Sequence, residues 1–200
     1  MTVKRAINKL VEQGYLHREL GVGTFVEKGD NKKIDIDYQS ETGNSGISAI
    51  FRERGIKISN RILGIGDITG SKFINYKLGQ AEEEIIWGLH RVRFGDGIPF
   101  AIEYTYVPKK YFGDIDNFDF SKVSLYDYME AKGHLPMHFI QKLIICSANE
   151  KIADLLNVKK GGAVFRIEYQ ASDKDYNLVE YTKSYLNPEF AEFRFVAEAE

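Results

Sequence analysis

Two arginines and a glutamate around one tight turn are the residues of this 200-residue chain whose types and spacing most suggest chemistry. They lie in LHRVRFGDGIPFAIE, residues 89–103. Apolar runs on either side of Gly95, Asp96 and Gly97 predict a β-hairpin. Arg91 and Arg93 are two apart on one strand, so they share a face at a separation of about 7 Å. A three-residue loop pairs Phe94 with Ile98, Arg93 with Pro99, Arg91 with Ala101 and Leu89 with Glu103. That register places both cations and the acid on one face, whereas a two-residue loop flips the parity and separates them. Two converging guanidinium groups suit a phosphate or carboxylate, which they grip by paired hydrogen bonds. The helix start at Ser124, in SLYDYMEAKG, offers a hydroxyl and backbone N–H groups to the same anion. The plainer alternatives are a solvated strand face with incidental ion pairs to Glu103, and an ordinary helix cap at Ser124.

The elements that must carry these residues are short and mixed. Residues 57–68, KISNRILGIGDI, are strand-like, and SKFINYKLG is a helical turn or two. HFIQKLIICSA predicts a strand and NEKIADLLNV a helix capped by Asn149. AVFRIEYQASD and LVEYTKSYL form a second hairpin, which FRFVAE is expected to close. On its last strand Glu180, Thr182, Ser184 and Leu186 share a face, and Tyr185 points away. Ile47, Ile50, Phe51 and Arg54 give a short helix ended by Gly55. The fold class is α+β, an antiparallel sheet flanked by short helices.

Residues 1–28 form a separate head. Val3, Ala6, Ile7, Leu10 and Val11 follow the spacing of one helix face, with Thr2 as N-cap and Gly14 as the helix-ending residue. Lys4, Arg5, Asn8, Lys9 and Glu12 take the other face. YLHRELGVGTFVEKG then predicts two strands about a Gly-bounded turn. A helix followed by such a hairpin is the second half of a winged helix, which would put the helix in the major groove and the wing near the DNA backbone. Residues 29–45 are polar and rich in Gly, Ser and Asn, a linker with room for one short edge strand at Ile34, Ile36 and Tyr38.

The composition bounds the function. With 44% hydrophobic residues the chain can bury a sizeable core, and its net charge of −2 makes it no polycation. Five cations against three acids leave the head at +2, so the remainder carries −4. One cysteine, Cys146, excludes an internal disulfide and sits in the apolar run LIIC as a small hydrophobe. No apolar stretch reaches the roughly 20 residues of a membrane span, and the N-terminus lacks a signal-peptide core. A cytoplasmic protein with no membrane partner is expected. His134 and His138 are separated by Pro136, which spoils a helical metal pair, and they are expected at the surface. No dinucleotide or Walker-type loop is present, and no cofactor is expected.

Two resemblances sharpen these expectations. MTVKRAINKLVEQGYLHRELGVGTFV resembles the end of the winged helix of the GntR superfamily of bacterial repressors, through Thr2, Val3, Lys4, Ala6, Ile7, Leu10, Gly14, Tyr15 and Leu16, then Gly21, Gly23, Thr24, Phe25 and Val26. That family has two further helices before this segment, so the resemblance implies an N-terminally truncated unit that binds DNA poorly as it stands. Thr2, Lys4, Arg5, Asn8, Gly23 and Thr24 are the candidate DNA contacts. Residues 46–200 resemble the UTRA effector-binding domain of the HutC branch, which has a chorismate-lyase-like fold. GISAIFRERG, LHRVRFGDGIPFAIEYTYVP, SLYDYME, IADLLNVKKGGAVFRIEY and LVEYTKSYL carry this match in order.

The second resemblance implies a sugar phosphate or carboxylate held by Arg91, Arg93, Ser124 and Tyr126. It also implies acids at Glu103 and Glu180 that accept from ligand hydroxyls, and Ser48 as an additional anion contact. Relatives that bind amino-sugar phosphates often have a tyrosine where Leu186 stands, which implies a different pocket wall here. The expected function is a ligand-controlled transcriptional repressor, a homodimer with operator DNA and a small anionic metabolite as partners. The alternative is a chorismate-lyase-like enzyme acting on a small carboxylate, for which Glu103 and Glu180 lack an evident nucleophile.

Overall fold

The structure is a computed structural model that describes residues 3–12, 15–26, 34–37 and 55–194. Thr2, Gly14, Ser48 and the helix expected from Ile47, Ile50, Phe51 and Arg54 lie outside the described residues. The chain divides into two compact units, Met1–Lys33 and Ile34–Glu200.

In the smaller unit, α1 (Val3–Glu12) is followed by β1 (Leu16–Glu19) and β2 (Gly23–Val26), paired antiparallel. Gly21 takes φ 79° in the turn, where a side chain would be strained. Arg18 Nη2 donates to Asn8 Oδ1 at 2.9 Å, and His17 stacks on Phe25, so the hairpin lies against the helix. No described residue of α1 is buried, and Val3 is 77% exposed.

The larger unit is built on one antiparallel sheet of order β4-β5-β6-β9-β8-β7. Its strands are β4 (Ile58–Ile68), β5 (Ile86–Gly95), β6 (Ile98–Pro108), β7 (His138–Ser147), β8 (Ala163–Ser172) and β9 (Leu178–Leu186). Three short helices join them: α2 (Lys72–Lys77), α3 (Leu125–Ala131) and α4 (Glu150–Leu156). Both faces are covered. On one, Trp87, Leu89 and Val107 pack on Leu125 and Met129 of α3, and Ala101, Ile167 and Leu186 pack beneath Phe190 and Ala191. On the other, Val92, Ile102 and Val164 meet Ile152, Ala153 and Leu156 of α4, and Ile86 and Tyr181 meet Ile74 and Leu78. Double coverage explains why the interior strand β5 is buried along most of its length while edge strand β4 alternates.

Two caps match the sequence. Ser124 Oγ accepts from Asp127 N, and Asn149 Oδ1 accepts from Ile152 N. One expectation fails. Phe193 and Arg194, the described part of the segment FRFVAE, do not close the second hairpin, because both edges of β9 are already taken by β6 and β8, and residues 195–198 lie outside the described residues. Instead β10 (Ala191–Arg194) pairs in parallel with β3 (Ile34–Asp37), four residues of the stretch expected as linker.

Candidate functional site

The β5–β6 hairpin decides whether the arginines and the glutamate meet. Its loop has two residues, not three: Asp96 and Gly97 have φ 48° and 80°, as a type I′ turn requires. Gly95 therefore pairs with Ile98 and Phe94 with Pro99, the parity that would separate the charges. A β-bulge then intervenes. Arg93 pairs with Ala101, so that Phe100 is the extra residue of β6, and Arg91 pairs with Glu103. The extra residue restores the parity that the short loop removed. The expected partners Pro99 for Arg93 and Ala101 for Arg91 are each corrected by two positions, yet the three charges share a face as expected.

There they form one buried cluster. Arg91 Nε and Nη2 both lie 2.8 Å from Glu103 Oε2, and Arg93 Nη1 lies 2.7 Å from Oε1. Arg91, Arg93 and Glu103 are 9%, 5% and 6% exposed. Burial alone would push the Glu103 carboxyl up, but the charges of Arg93 and Arg91 and their hydrogen bonds outweigh it and hold it at about 2. Burial pulls the Arg93 guanidinium down from its usual value, with Glu103 opposing and Arg91 adding to it. The cluster holds two cations and one anion, a surplus of positive charge in a desolvated place.

Ser184 sits opposite Glu103 on β9, and two residues along that strand Thr182 sits opposite Thr105. Thr182 begins a second network. Its hydroxyl lies 2.6 Å from Glu180 Oε1 and 2.9 Å from the Thr105 hydroxyl. Tyr169, on β8, donates to the same Glu180 oxygen at 2.8 Å, and the Tyr126 hydroxyl of α3 lies 3.3 Å from that of Tyr169. Glu180 is 1% exposed, and its Oε2 has no hydrogen-bond partner among the described residues. Burial raises the Glu180 carboxyl above its ordinary range, the nearby Glu103 charge adds to the rise, and the hydroxyls of Thr182, Tyr169 and Tyr126 oppose it. Burial and the Glu180 charge likewise push both tyrosines well above their usual value.

Most of the effector residues expected from sequence thus lie on or above one sheet face. Arg91, Arg93 and Glu103 touch, and Glu180 and Tyr126 are joined through Tyr169. Ser124 caps α3 two residues before Tyr126. Leu186 is buried on the same face, and Tyr185 packs with Val92 and Ile102 on the other, as its parity requires. Sequence reasoning missed Tyr169 and Thr105 as members of the site. Period-two alternation placed Thr182 beside Glu180, but only the β8–β9 register, Tyr169 to Thr182, brings the tyrosine in. His134 is half-buried, not at the surface, with Nδ1 2.7 Å from Asp173 Oδ2. A hollow of about 340 Å³ lined by Leu63, His90, Tyr104 and Lys151 lies on the opposite face and includes none of these residues. In the smaller unit Lys4, Arg5, Gly23 and Thr24 are exposed, and Asn8 is engaged by Arg18.

Residues 53–191 match the family model described as the UTRA domain. This chain belongs to the UTRA domain family, in the HutC branch of the GntR regulators. The Bacillus subtilis HTH-type transcriptional repressor NagR is 29% identical over 185 residues, which cover 92% of this chain and 73% of NagR. The B. subtilis HTH-type transcriptional regulator YurK is 31% identical over 172 residues, 86% of this chain and 69% of YurK. Among solved structures, PhnF from Mycobacterium smegmatis superimposes with a TM-score of 0.76 at 19% identity, covering 99% of this chain and 84% of PhnF. The UTRA relatives carry the names of transcriptional regulators, and no described helix is long and apolar enough to cross a membrane.

Proposed function

We propose that this chain is a metabolite-responsive transcriptional repressor whose UTRA domain binds a small anionic sugar derivative, in the first place a sugar phosphate. The observation that carries the reading is the buried Arg91–Glu103–Arg93 cluster beside the Glu180 hydroxyl network. Its surplus positive charge suits a phosphate, and Ser124, Tyr126 and Ser48 are assigned to help hold it. Glu180, with one buried oxygen to spare, suits a ligand hydroxyl. Relatives named as repressors of mannosyl-D-glycerate and fructoselysine systems support a sugar derivative as the class.

The smaller unit is assigned to operator DNA through Thr2, Lys4, Arg5, Asn8, Gly23 and Thr24, in a homodimer that presents two such units. Ligand changes DNA affinity only by binding one arrangement of the dimer better than another. The test is a thermal-shift screen against phosphorylated sugars and small carboxylates, run beside the R91A/R93A double variant. A ligand that binds only the folded state raises its melting temperature. A shift with a sugar phosphate that disappears in the variant supports the reading. Shifts indifferent to the arginines place the ligand elsewhere.

A further inference from the structure

Glu180 is hydrogen-bonded on one side only. Its Oε1 accepts from Thr182 at 2.6 Å and from Tyr169 at 2.8 Å. The Tyr126 hydroxyl lies 3.3 Å from that of Tyr169, whose one proton already goes to Glu180, so Tyr126 donates to Tyr169. These three hydroxyl protons all run toward Oε1. Oε2 is buried and has no hydrogen-bond partner among the described residues. A carboxylate spreads its charge over both oxygens and draws donors to each, whereas a carboxylic acid accepts at its carbonyl oxygen and donates from its hydroxyl. The arrangement around Glu180 is that of the acid.

The charged and titratable groups around it agree. Tyr169 on β8 and Tyr126 on α3 meet it as neutral hydroxyls. Arg91 and Arg93 on β5 hold Glu103 of β6, and that ionised carboxylate faces Glu180 as a like charge. On its own strand Tyr181 and Lys183 point to the other face by parity. Among the described residues no cation pairs with this carboxyl, which is 1% exposed, and a buried carboxylate without a paired cation takes up a proton.

We infer that Glu180 is held as a neutral carboxylic acid whose Oε2 hydroxyl donates to the ligand, so that this end of the site selects a sugar derivative with an oxygen acceptor there. The direction is the reverse of that expected from the sequence, in which Glu180 accepts from a ligand hydroxyl. Neutrality also spares the anionic group of the ligand a second negative charge beside Glu103. The inference rests on the reading of this sheet face as the effector site.

The first arm of the test needs no ligand. Carbon NMR of the chain labelled at its glutamate carboxyls follows each titration from pH 4 to pH 8. The Glu180 signal is assigned by its loss in Glu180→Gln and its displacement in Tyr169→Phe. It is expected to stay at the protonated position after the exposed glutamates have titrated, and titration together with them overturns the inference. The second arm is calorimetry at pH 6 with glucose 6-phosphate, fructose 6-phosphate and sulfate on wild type and Glu180→Gln. With its oxygen serving Tyr169 and Thr182, the glutamine amide places an N–H where Oε2 stood and can donate but not accept. Affinity for the sugar phosphates within about threefold of wild type is expected. A loss of about tenfold or more with sulfate binding unchanged overturns the donor role. So does a glutamine variant that fails to fold at pH 6, because an amide reproduces the hydrogen bonds of a neutral acid. Sulfate binding without binding of either sugar phosphate removes the sugar-phosphate reading and the ligand contact with it, while the NMR titration still decides the protonation of Glu180.

Discussion

Arg91 faces Glu103 across the β5–β6 ladder because the register shifts by one at Phe100, three residues before the acid. The two-residue turn at Asp96 and Gly97 would otherwise leave the acid on the opposite face of the sheet from both arginines. One extra residue in β6 thereby decides whether this sheet carries a charge cluster or a scattered set of surface charges. The hydrophobic side of the arrangement is consistent with this. Phe100 is 1% exposed in the core with Ala101 and Leu186, and the Arg93 guanidinium lies over its ring at 5.8 Å.

Removing one arginine leaves the glutamate buried and half-compensated. Arg91→Ala is expected to cost about 3–5 kcal/mol of stability, as for other buried ion pairs broken from one side. Urea unfolding of the variant beside Arg91→Lys checks this, with lysine recovering part of the loss but not the paired contact at Nε and Nη2.

Acid should weaken the fold through Glu103. Its folded value of about 2 lies below the ordinary 4.5, so its contribution is complete above pH 4.5 and is lost as pH falls toward about 2. Denaturant midpoints measured between pH 6 and pH 3 should fall for wild type, and the fall should be shallower in Glu103→Gln.

Glu180 acts in the opposite sense. Its carboxyl is raised, so its contribution is favourable below the ordinary carboxylate range and is lost as pH rises through the folded value. Glu180→Gln should therefore be less sensitive than wild type to a rise from pH 4 to pH 8. A steeper loss in the variant would contradict the assignment.

Tyr169 and Thr182 both serve Glu180 Oε1, at 2.8 and 2.6 Å. Tyr169→Phe is expected to cost about 1–3 kcal/mol, because a buried acceptor loses a donor. The same change should weaken the sugar-derivative ligand while leaving sulfate binding at the arginines little altered. Calorimetry with both ligands distinguishes a local effect from general loss of the fold.

In the smaller unit, replacing Lys4 and Arg5 with alanine should lower operator affinity and reduce the slope of log affinity against log salt by about two, if each neutralises one phosphate. An unchanged slope would remove both residues from the DNA contacts. Fluorescence anisotropy across a salt series provides the measurement.

The sequence by itself determined the α+β class, the caps at Ser124 and Asn149, the presence of a tight turn within residues 95–97 though not its length, and the shared face of Glu180, Thr182, Ser184 and Leu186. Each of these depends on residues close in the chain, through backbone dihedrals, capping hydrogen bonds or period-two alternation. The tertiary structure alone decided three things. It placed the bulge at Phe100, where the strands' twist and the packing of one aromatic ring had to be satisfied together. It set the β8–β9 register that brings Tyr169 to Glu180, a partnership between strands that carries no local signature. It also sent β10 away from the second hairpin to β3, because a strand can have only two neighbours and β9 already had both. Local chemistry fixes what an element is; competition for partners across the sheet fixes where its side chains meet.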